Sequence, residues 1–302
     1  MKTLVFGSLN IDYVYQVPHF VQRGETLAST ALARYCGGKG LNQAVALSRA
    51  GMETWMGGAI GAEGVFLLDT LREARVNTEL VARSEESTGH AIIQNSPDGD
   101  NSILIFGGAN RSISREQAQQ TLARFDAGDL LLLQNEINQL PAILQLAKER
   151  GMRTVLNPSP MEAELMCELL PLVDALLLNR GEAEALLGYA LPGAEEMAAA
   201  LRKLYPHMMV VLTLGAQGAI LAGEGETLRQ SAFPVQAVDT TGAGDTFTGY
   251  FLASWMTEGN ASSALEIAAA AAALAVTRNG AAPSIPTREE TERFLRQHSP
   301  EK

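Results

Sequence analysis

Short, continuously apolar runs alternate with helix-like stretches along most of the chain. The apolar runs lie at 129–133, 153–156, 174–178 and 208–214, and the helix-like stretches lie near 40–50, 63–75, 115–125, 138–150 and 181–188. Runs that stay apolar on consecutive positions are typical of strands that are covered on both faces. The pattern therefore predicts an α/β fold, in which a central, mostly parallel sheet is flanked by helices.

Two segments, 11–36 and 88–108, interrupt this alternation because neither contains a convincing helix. The second segment has the pattern of a hairpin, with Gly89–Asn95 and Asn101–Phe106 joined by the turn 96–100. Pro, Asp and Gly in that turn suit a tight reversal of the chain. We expect the two segments to form a small β-sheet lid over the active cleft.

Composition and charge narrow the class of protein. The chain has 302 residues, of which 46% are hydrophobic and 19% charged, with a net charge of -11. These values fit one globular domain spanning residues 1–302, and the acidic balance argues against a nucleic-acid partner. The alanine-rich segment 264–276 is too short to span a bilayer. The two cysteines and four histidines follow no metal-binding spacing, and no signal-peptide pattern precedes the first strand, so we expect a cytoplasmic protein without a membrane partner.

The segment VDTTGAGDTF, residues 238–247, carries the most specific chemistry. We expect an apolar strand to end in a tight loop that contains Gly242 and Gly244, with Asp245 where a helix begins. Backbone N–H groups in such a loop can converge on an anion, and the helix N-terminus adds a favourable field. An acid beside an anion site suits the removal of a proton from a hydroxyl that then attacks a phosphate.

A polar pair stands near the amino terminus, where Asn10 and Asp12 follow the strand-like run 3–7. On an extended chain, side chains separated by one residue project to the same face. An amide and a carboxylate that project together above a parallel sheet can engage neighbouring hydroxyls of a polyol. The alternative is that both only form hydrogen bonds in a turn, and this feature alone favours that alternative.

A second glycine-rich segment, GGKGLNQA at 37–44, leads into a helix-like stretch. It lacks the Ser or Thr and the earlier glycine of a Walker A loop, and it also lacks the dinucleotide fingerprint. Gly38, Lys39 and Asn42 are instead candidates for one wall of a polar pocket. A simple strand-to-helix turn explains the glycines equally well.

Polar residues also follow several of the predicted strands. They are Asn179, Glu182, Thr213, Gly215 and Glu136. Because the carboxyl ends of parallel strands meet at one edge of a sheet, these residues are expected to converge where ligands bind. A carboxylate early in a helix is favourable without any ligand, so Glu182 alone is weak evidence. With Asn179 it could also meet phosphate oxygens and the waters of a bound Mg²⁺.

Together these motifs resemble the signatures of the ribokinase-like (PfkB) carbohydrate kinases. The segment 37–44 is similar to the family's N-terminal signature, and 239–247 is similar to its C-terminal signature. The resemblance covers essentially the whole chain. Within the family it is strongest to the ribokinases, through GSLNID at 7–12, GAN at 108–110 and VTRNGAAPS at 276–284. The fold implied is a central parallel sheet with flanking helices and a β lid.

The resemblance implies a role for each matching residue. Asp245 would be the catalytic base that takes the proton from the sugar's terminal hydroxyl. The anion hole would be formed by Gly242, Ala243 and Gly244. The sugar would be bound by Asn10, Asp12, Gly38, Lys39, Asn42, Glu136 and Asp245. The nucleotide would be bound by Asn179, Thr213, Gly215 and Gly244. Glu182 would act on Mg²⁺ through water, and an activating K⁺ would be held by Asp239, Thr241, Ala275, Arg278, Gly280 and Ser284.

The activity implied is ATP-dependent phosphorylation of the terminal, 5-position hydroxyl of ribose or a related pentose, in a homodimer paired through the lids. Two departures bear on this. Leu41 stands where ribokinases usually have Ala, and NRGE at 179–182 replaces the usual NETE. The first lies near the sugar motif, so the identity of the sugar stays open. The alternatives are a kinase for deoxyribose, another sugar or a nucleoside, and a catalytically idle sugar-binding regulatory protein on the same fold.

Overall fold

The computed structural model describes residues 1–98, 100–223 and 227–298. The strands, in chain order, are β1 Thr3–Phe6, β2 Asn10–Gln16, β3 Ala31–Gly37, β4 Thr54–Ile60, β5 Asn77–Arg83, β6 Gly89–Asn95, β7 Asn101–Phe106, β8 Leu130–Gln134, β9 Arg153–Asn157, β10 Ala175–Asn179, β11 Met209–Thr213, β12 Ala219–Ala222 and β13 Thr227–Gln230. The helices are α1 Lys39–Arg49, α2 Val65–Glu73, α3 Arg115–Leu122, α4 Leu140–Glu149, α5 Ala163–Leu169, α6 Arg180–Leu187, α7 Ala194–Leu204, α8 Ala243–Glu258, α9 Ala261–Ala275 and α10 Arg288–His298.

A nine-stranded sheet forms the centre of the molecule, in the order β13-β12-β11-β10-β9-β8-β1-β4-β5. The strands from β11 to β5 in this order are parallel, whereas β12 and β13 add an antiparallel edge. Parallel neighbours need crossover connections, and the chain supplies helices between them. The predicted central sheet with flanking helices is confirmed.

The consecutive apolar residues of the central strands are divided between two helical layers. Leu131 and Leu133 of β8 pack with residues of α3 to α7, while Leu130 and Leu132 pack with residues of α1, α2, α8 and α9. Side chains alternate between the faces of a strand, so a strand that is covered on both sides must be apolar at every position. Leu41, the residue that departs from the ribokinase pattern, is fully buried in the second layer.

A separate four-stranded sheet has the order β3-β2-β6-β7. Strand β2 pairs with β3 antiparallel and with β6 parallel, and β6 pairs with β7 antiparallel. These strands lie within the segments 11–36 and 88–108 almost to the residue, so the prediction of a separate small sheet is confirmed. The predicted turn closes with a hydrogen bond from Ser96 N–H to Asp100 O at 3.0 Å. Gly99 of that turn lies outside the described residues.

One prediction about local structure is wrong. No strand forms between β13 and α8, and residues 231–241 instead follow an irregular path in which Val238 is 60% exposed. The apolar residues of this segment meet α9 and α10 rather than the sheet: Phe233 packs edge-on against Phe294, with ring centroids 5.4 Å apart. Among the helices that the structure describes, none is both long enough and apolar enough to cross a membrane.

Candidate active site

Polar side chains end four neighbouring parallel strands. Gln134 closes β8 and Asn157 closes β9, and the two are register partners. Asn179 and Thr213 end β10 and β11 and are partners in the same way. The predicted convergence of polar residues at one edge of the sheet is therefore present, and it extends further along the edge than the sequence indicated.

Helix α8 brings an acid to this edge. The helix begins at Ala243, and its N-cap is Gly242 with φ 74°, a left-handed conformation that favours glycine. Asp245 is the third helical residue rather than the cap, and its side chain is buried. A carboxylate in the first turn is favoured by the helix field. The first turn of α8 is therefore both the place where an anion is favoured and the place where the acid is held.

Two amide groups of α1 donate hydrogen bonds to this acid. Asn42 Nδ2 donates to Asp245 Oδ2 at 3.0 Å, and Gln43 Nε2 donates to Asp245 Oδ1 at 2.8 Å. The C-terminal motif and the N-terminal motif, which are far apart in sequence, therefore meet at one carboxylate. Amide N–H groups can only donate to this carboxylate, so both of its oxygens are oriented by α1.

The residues predicted to bind a sugar form a cluster on the side of Asp245 next to the small sheet. Asn10 begins β2, and its Oδ1 accepts a hydrogen bond from Asn110 Nδ2 at 2.7 Å. Asn110 also accepts from the backbone N–H of Leu9 at 3.0 Å, which fixes its orientation. Asp12 lies further along β2, next to Gly37 of the paired strand β3. Asn10 is thus held by a buried partner, as a turn interpretation would require, while Asp12 on the same strand lies near the acids Glu136 and Asp245.

Glu136 connects β8 with the start of α1. Its side chain is buried and accepts hydrogen bonds from Ser8 Oγ and, at 3.2 Å, from the backbone N–H of Lys39. Gly40 N–H donates to the same Ser8 hydroxyl at 3.2 Å. This close approach requires glycine, because a Cβ on Gly40 would lie 2.5 Å from the nitrogen of Ser8. The glycines of 37–44 therefore let α1 start directly above the end of β1.

The clustered charges shift two pKa values. Burial, together with the smaller effects of the Glu136 and Asp245 charges, raises the pKa of Asp12 from 3.8 to about 7. Burial alone would lower the pKa of the Lys39 ammonium, but the carboxylates of Asp245, Glu136 and Glu182 outweigh it, so that pKa is raised. The site thus keeps a positive charge at Lys39 and holds Asp12 close to its ionisation midpoint near neutral pH.

A cavity of about 630 Å³ opens on the other side of Asp245. Its lining includes Lys39, Asp245 and the first turn of α8, together with Thr213 and Gly215. Apolar residues also line it, among them Phe233 and residues of α9. Cavities of this size are typical of sites for nucleotide-sized molecules. Within the described part of the chain, Asn10, Asp12, Asn42 and Glu136 are not in the cavity lining, so Asp245 stands between two compartments.

Asn179 and Glu182 both line the cavity, and they also bind each other. Asn179 Oδ1 accepts from the backbone N–H of Glu182 at 2.9 Å, and Glu182 Oε2 accepts from the backbone N–H of Asn179 at 2.9 Å. This is a capping box at the start of α6. The structural role that the sequence allowed for Glu182 is therefore real, and its remaining carboxylate oxygen is still available at the cavity.

The predicted K⁺ ligands lie in two adjoining loops. Asp239 Oδ1 accepts from the N–H and the hydroxyl of Thr241, at 2.9 Å and 2.6 Å, and Asp239 Oδ2 accepts from Gly280 N–H at 2.8 Å. Burial would raise the pKa of Asp239, but these hydrogen bonds lower it below its ordinary value. The Arg278 guanidinium turns away to Glu290, at 2.7 Å. Ser284 Oγ donates to Ala281 O at 2.8 Å.

The sixth predicted ligand, Ala275, meets Arg278 through the backbone, because Arg278 N–H donates to Ala275 O at 3.0 Å. The structure thus brings together the loops that carry these six residues. Asp239 and Thr241 come from the segment before α8, Ala275 is the last residue of α9, and the other three come from the segment that follows α9. The oxygens of Asp239, Ala275 and Ser284 already hold hydrogen-bond contacts within these loops.

Several residues at the site were not predicted from sequence. Gln43 lies within the motif at 37–44 and Asn110 within the motif at 108–110. The contact of Gln43 with Asp245 and that of Asn110 with Asn10 were nevertheless not expected. Gln134 and Asn157, at the ends of β8 and β9, were also missed. Their position in the sequence could have indicated them, because Gln134 and Asn157 are polar residues that end apolar strands at the edge where the predicted site residues lie.

Comparisons with known proteins agree with this geometry. A family model described as pfkB family carbohydrate kinase matches residues 2–288. Ribokinase of Haemophilus influenzae is 38% identical over 306 residues, covering 97% of this chain and 98% of that protein. Deoxyribokinase of Salmonella typhi is 32% identical over 304 residues, covering 98% of this chain and 99% of that protein. The structure of Arabidopsis thaliana ribokinase complexed with ribose and ATP is similar, with a TM-score of 0.85, 32% identity, and coverage of 97% of this chain and 98% of that chain.

Proposed function

Because the chain belongs to the pfkB family of carbohydrate kinases, we propose that it is an ATP-dependent kinase that phosphorylates the 5-position hydroxyl of ribose or a closely related pentose. The family resemblance predicted from the two glycine motifs is thereby confirmed, and the names of the relatives support ATP and ribose. One observation carries the proposal. Asp245 stands between a cluster of polyol-binding side chains and a cavity of about 630 Å³.

In the proposed reaction, the sugar hydroxyl oxygen attacks the γ-phosphorus of ATP while its proton passes to Asp245. The bond from the γ-phosphorus to the bridging oxygen breaks, and ADP leaves with that electron pair. Such transfer depends on positioning and charge stabilisation more than on covalent help. The hydrogen bonds from Asn42 and Gln43 hold the Asp245 carboxylate in place, and as amide donors they do not compete with it for the proton of the sugar.

The segment 242–244 is the proposed anion hole. Space is open where a Cβ on Gly244 would project, since no atom lies within 4 Å of that position. The first N–H groups of a helix have no partner within the helix, and they carry a partial positive charge that attracts phosphate oxygens. Lys39 adds a full positive charge at the same end of the cavity. We assign Asn179, Thr213 and Gly215 to the nucleotide because they line the cavity wall.

The chain's residues fit a Mg²⁺ that is held mainly by the phosphates and by water. Glu182 lines the cavity and uses one carboxylate oxygen in the capping box, so its other oxygen can accept from a metal-bound water. Mg²⁺ usually keeps several waters and contacts few protein groups. When bound, the ion would neutralise charge on the phosphates.

The loops of Asp239 and Gly280 also fit a K⁺. The candidate ligand atoms in these loops are oxygens, and the pKa of the Asp239 carboxyl is lowered. The Arg278 guanidinium is paired with Glu290 and is thereby kept from the loops. We therefore propose that Arg278 contributes its carbonyl rather than its side chain. A bound K⁺ would order the two loops that precede and face the start of α8.

The small sheet is the proposed lid and the proposed contact between two copies of the chain. Its outer strand β7 leaves Ile103, Leu104, Ile105 and Phe106 between 49% and 67% exposed. Neighbouring residues of a strand point to opposite faces, so both faces of the sheet carry apolar side chains. Exposed apolar patches of this kind are typical of contact surfaces. We propose one domain over residues 1–302, located in the cytoplasm and dimeric through this sheet.

A coupled assay of ADP release tests the function. Ribose should be the best acceptor in a panel that includes 2-deoxyribose, other pentoses, hexoses and nucleosides. The Asp245→Asn variant should lose about 10²- to 10⁴-fold in kcat, the usual contribution of a positioned base, while its affinity for ribose changes little. If the enzyme preferred 2-deoxyribose or a nucleoside, ribose would no longer be the proposed substrate. Normal turnover by Asp245→Asn would refute the proposed mechanism.

A further inference from the structure

The proposed mechanism leaves a buried chain of amide side chains unexplained. Gln43 is fully buried, and its Nε2 donates to Asp245 Oδ1 at 2.8 Å and to Asn157 Oδ1 at 3.0 Å. Its Oε1 accepts from Gln134 Nε2 at 2.6 Å. All polar atoms of Gln43 are therefore used, and Asp245 is the one ionisable group among its partners.

One backbone carbonyl determines the orientation of the three amide side chains of Asn157, Gln43 and Gln134. Asn157 Nδ2 donates to Leu177 O at 2.9 Å, and a carbonyl can only accept, so Asn157 must turn its Oδ1 toward Gln43. Gln43 must then present Nε2 to Asn157 and Asp245 and turn its Oε1 to Gln134. Gln134 must in turn donate. The strand ends β9 and β10 thus determine which end of the Gln43 amide faces the acid.

The amide side chains of Gln134, Gln43 and Asn157 keep this orientation although it leaves one buried atom without a partner. This cost indicates that the orientation is required at the site. Gln134 Oε1 is buried and has no hydrogen-bond partner among the described residues. An unsatisfied buried carbonyl oxygen is unfavourable. Turning the whole chain around would place Gln43 Oε1 against the Asp245 carboxylate and would oppose Asn157 Oδ1 to Leu177 O. The observed arrangement leaves one unpaired atom and avoids both repulsions.

On the basis of the proposed kinase reaction, we propose that Gln43 is a positioning residue for the base, set in place by Gln134 and Asn157. Its N–H fixes the plane of the Asp245 carboxylate, while leaving lone pairs free for the sugar hydroxyl. Because an amide nitrogen has no acceptor site, Gln43 cannot take the proton away from Asp245. The proton removed from the sugar therefore stays at the reacting centre.

Other charged groups face the same acid and must be held constant in a test. They are Lys39 at the start of α1, Asp12 on β2 and Glu136 after β8. None of them contacts Gln43 in the hydrogen bonds described here. A change confined to Gln43 therefore leaves these charges in place, and the difference between variant and wild type reports on the amide.

The Gln43→Met variant keeps the size of the side chain and removes its donor. With saturating ribose and ATP, we expect kcat to fall about 10- to 100-fold while KM for ribose stays within about threefold, because the lost hydrogen bond acts on the base. Gln145→Met, a change of an exposed glutamine on α4, is the matched control and should alter nothing.

The Gln43→Glu variant supplies a second readout that a purely structural role would not change. When protonated, the new side chain can donate to Asp245, and when ionised it cannot, so its kcat relative to wild type should fall as pH rises from about 6 to about 8. A relative kcat that is independent of pH would overturn the proposal. This variant also keeps the test available if Gln43→Met does not fold, which circular dichroism would reveal.

A double-mutant cycle tests the relay itself. Gln134 reaches Asp245 only through Gln43, so Gln134→Met should lower kcat about 3- to 10-fold alone and have no further effect in the Gln43→Met background. Additive losses would overturn the relay. If Asp245→Asn is inactive while Gln43→Met keeps wild-type kcat and pH profile, the positioning role fails and the proposed function stands. If Asp245→Asn turns over normally, the assignment of the base fails first.

Discussion

Replacing Asp12 with Asn should stabilise the sugar-free protein at alkaline pH. In the folded chain, burial and the smaller effects of the Glu136 and Asp245 charges together raise the pKa of Asp12 from 3.8 to about 7. Asn has nearly the same shape and carries no charge. The variant therefore removes an ionisable group whose charged form the fold disfavours. In the sugar-free protein it changes little else, because the proposed role of Asp12 is to bind the sugar.

The sign and size of the effect follow from proton linkage. Between pH 3.8 and about 7 the folded protein keeps a proton on Asp12 that the unfolded chain has released, so the free energy of unfolding falls as pH rises. Above the folded pKa the full effect is present, about 4 kcal/mol as an upper bound. About 3 kcal/mol of this accumulates between about pH 5 and about pH 8, which for a chain of 302 residues corresponds to about 4 °C in Tm.

Thermal unfolding of the two proteins at about pH 5 and about pH 8 tests the reasoning. The excess Tm of Asp12→Asn over wild type should grow by about 4 °C between the two conditions. Asp126→Asn, a change of an exposed aspartate, should show no such growth. Adding ribose should raise the Tm of wild type much more than that of Asp12→Asn. An excess Tm that is equal at both pH values would refute the claim that the fold disfavours this charge.

Three further outcomes are expected. Gly244→Val should lower kcat at least about 100-fold, because its side chain would project into the space proposed for the transferring phosphoryl group. K⁺ should raise activity above that in Na⁺ or choline. Equal rates with all three cations would refute the proposed K⁺ site at Asp239 and Gly280. Leu104→Asp should shift a dimer to monomer in size-exclusion chromatography with light scattering, and a wild-type monomer would remove the proposed dimer.

The fold was largely predictable because strands that are covered on both faces must be apolar at consecutive positions. The run 129–133 became β8 at Leu130–Gln134, and 208–214 became β11 at Met209–Thr213. The same reasoning failed before α8, where apolar residues such as Phe233 pack against α10 without forming a strand. Local hydrophobicity does not distinguish these cases, because the surface that an apolar segment meets is determined by tertiary structure.

The site was predictable where one motif contains the whole contact, and unpredictable where distant segments meet. The capping box of Asn179 and Glu182 lies within four residues, and its pattern was readable. The hydrogen bond from Gln43 to Asp245 joins α1 to α8, and Asn157 joins it from β9. The packing of α1 against α8 and the order of the strands bring these residues together, and neither is encoded in a local sequence pattern.

The charges at the site explain how an acidic protein can bind an anionic substrate. The net charge of -11 is spread over the whole chain, and interactions over more than about 8–10 Å are screened in physiological salt. Within that distance, the cavity meets Lys39 and the first turn of α8, both positive, and also Glu182, the acid that we assign to the waters of a bound Mg²⁺. The carboxylates of Asp12 and Glu136 lie in the other compartment, where hydroxyls rather than phosphates are expected. Asp245 is the one acid at the boundary, so the partition of charge itself directs the sugar to one side and the nucleotide to the other.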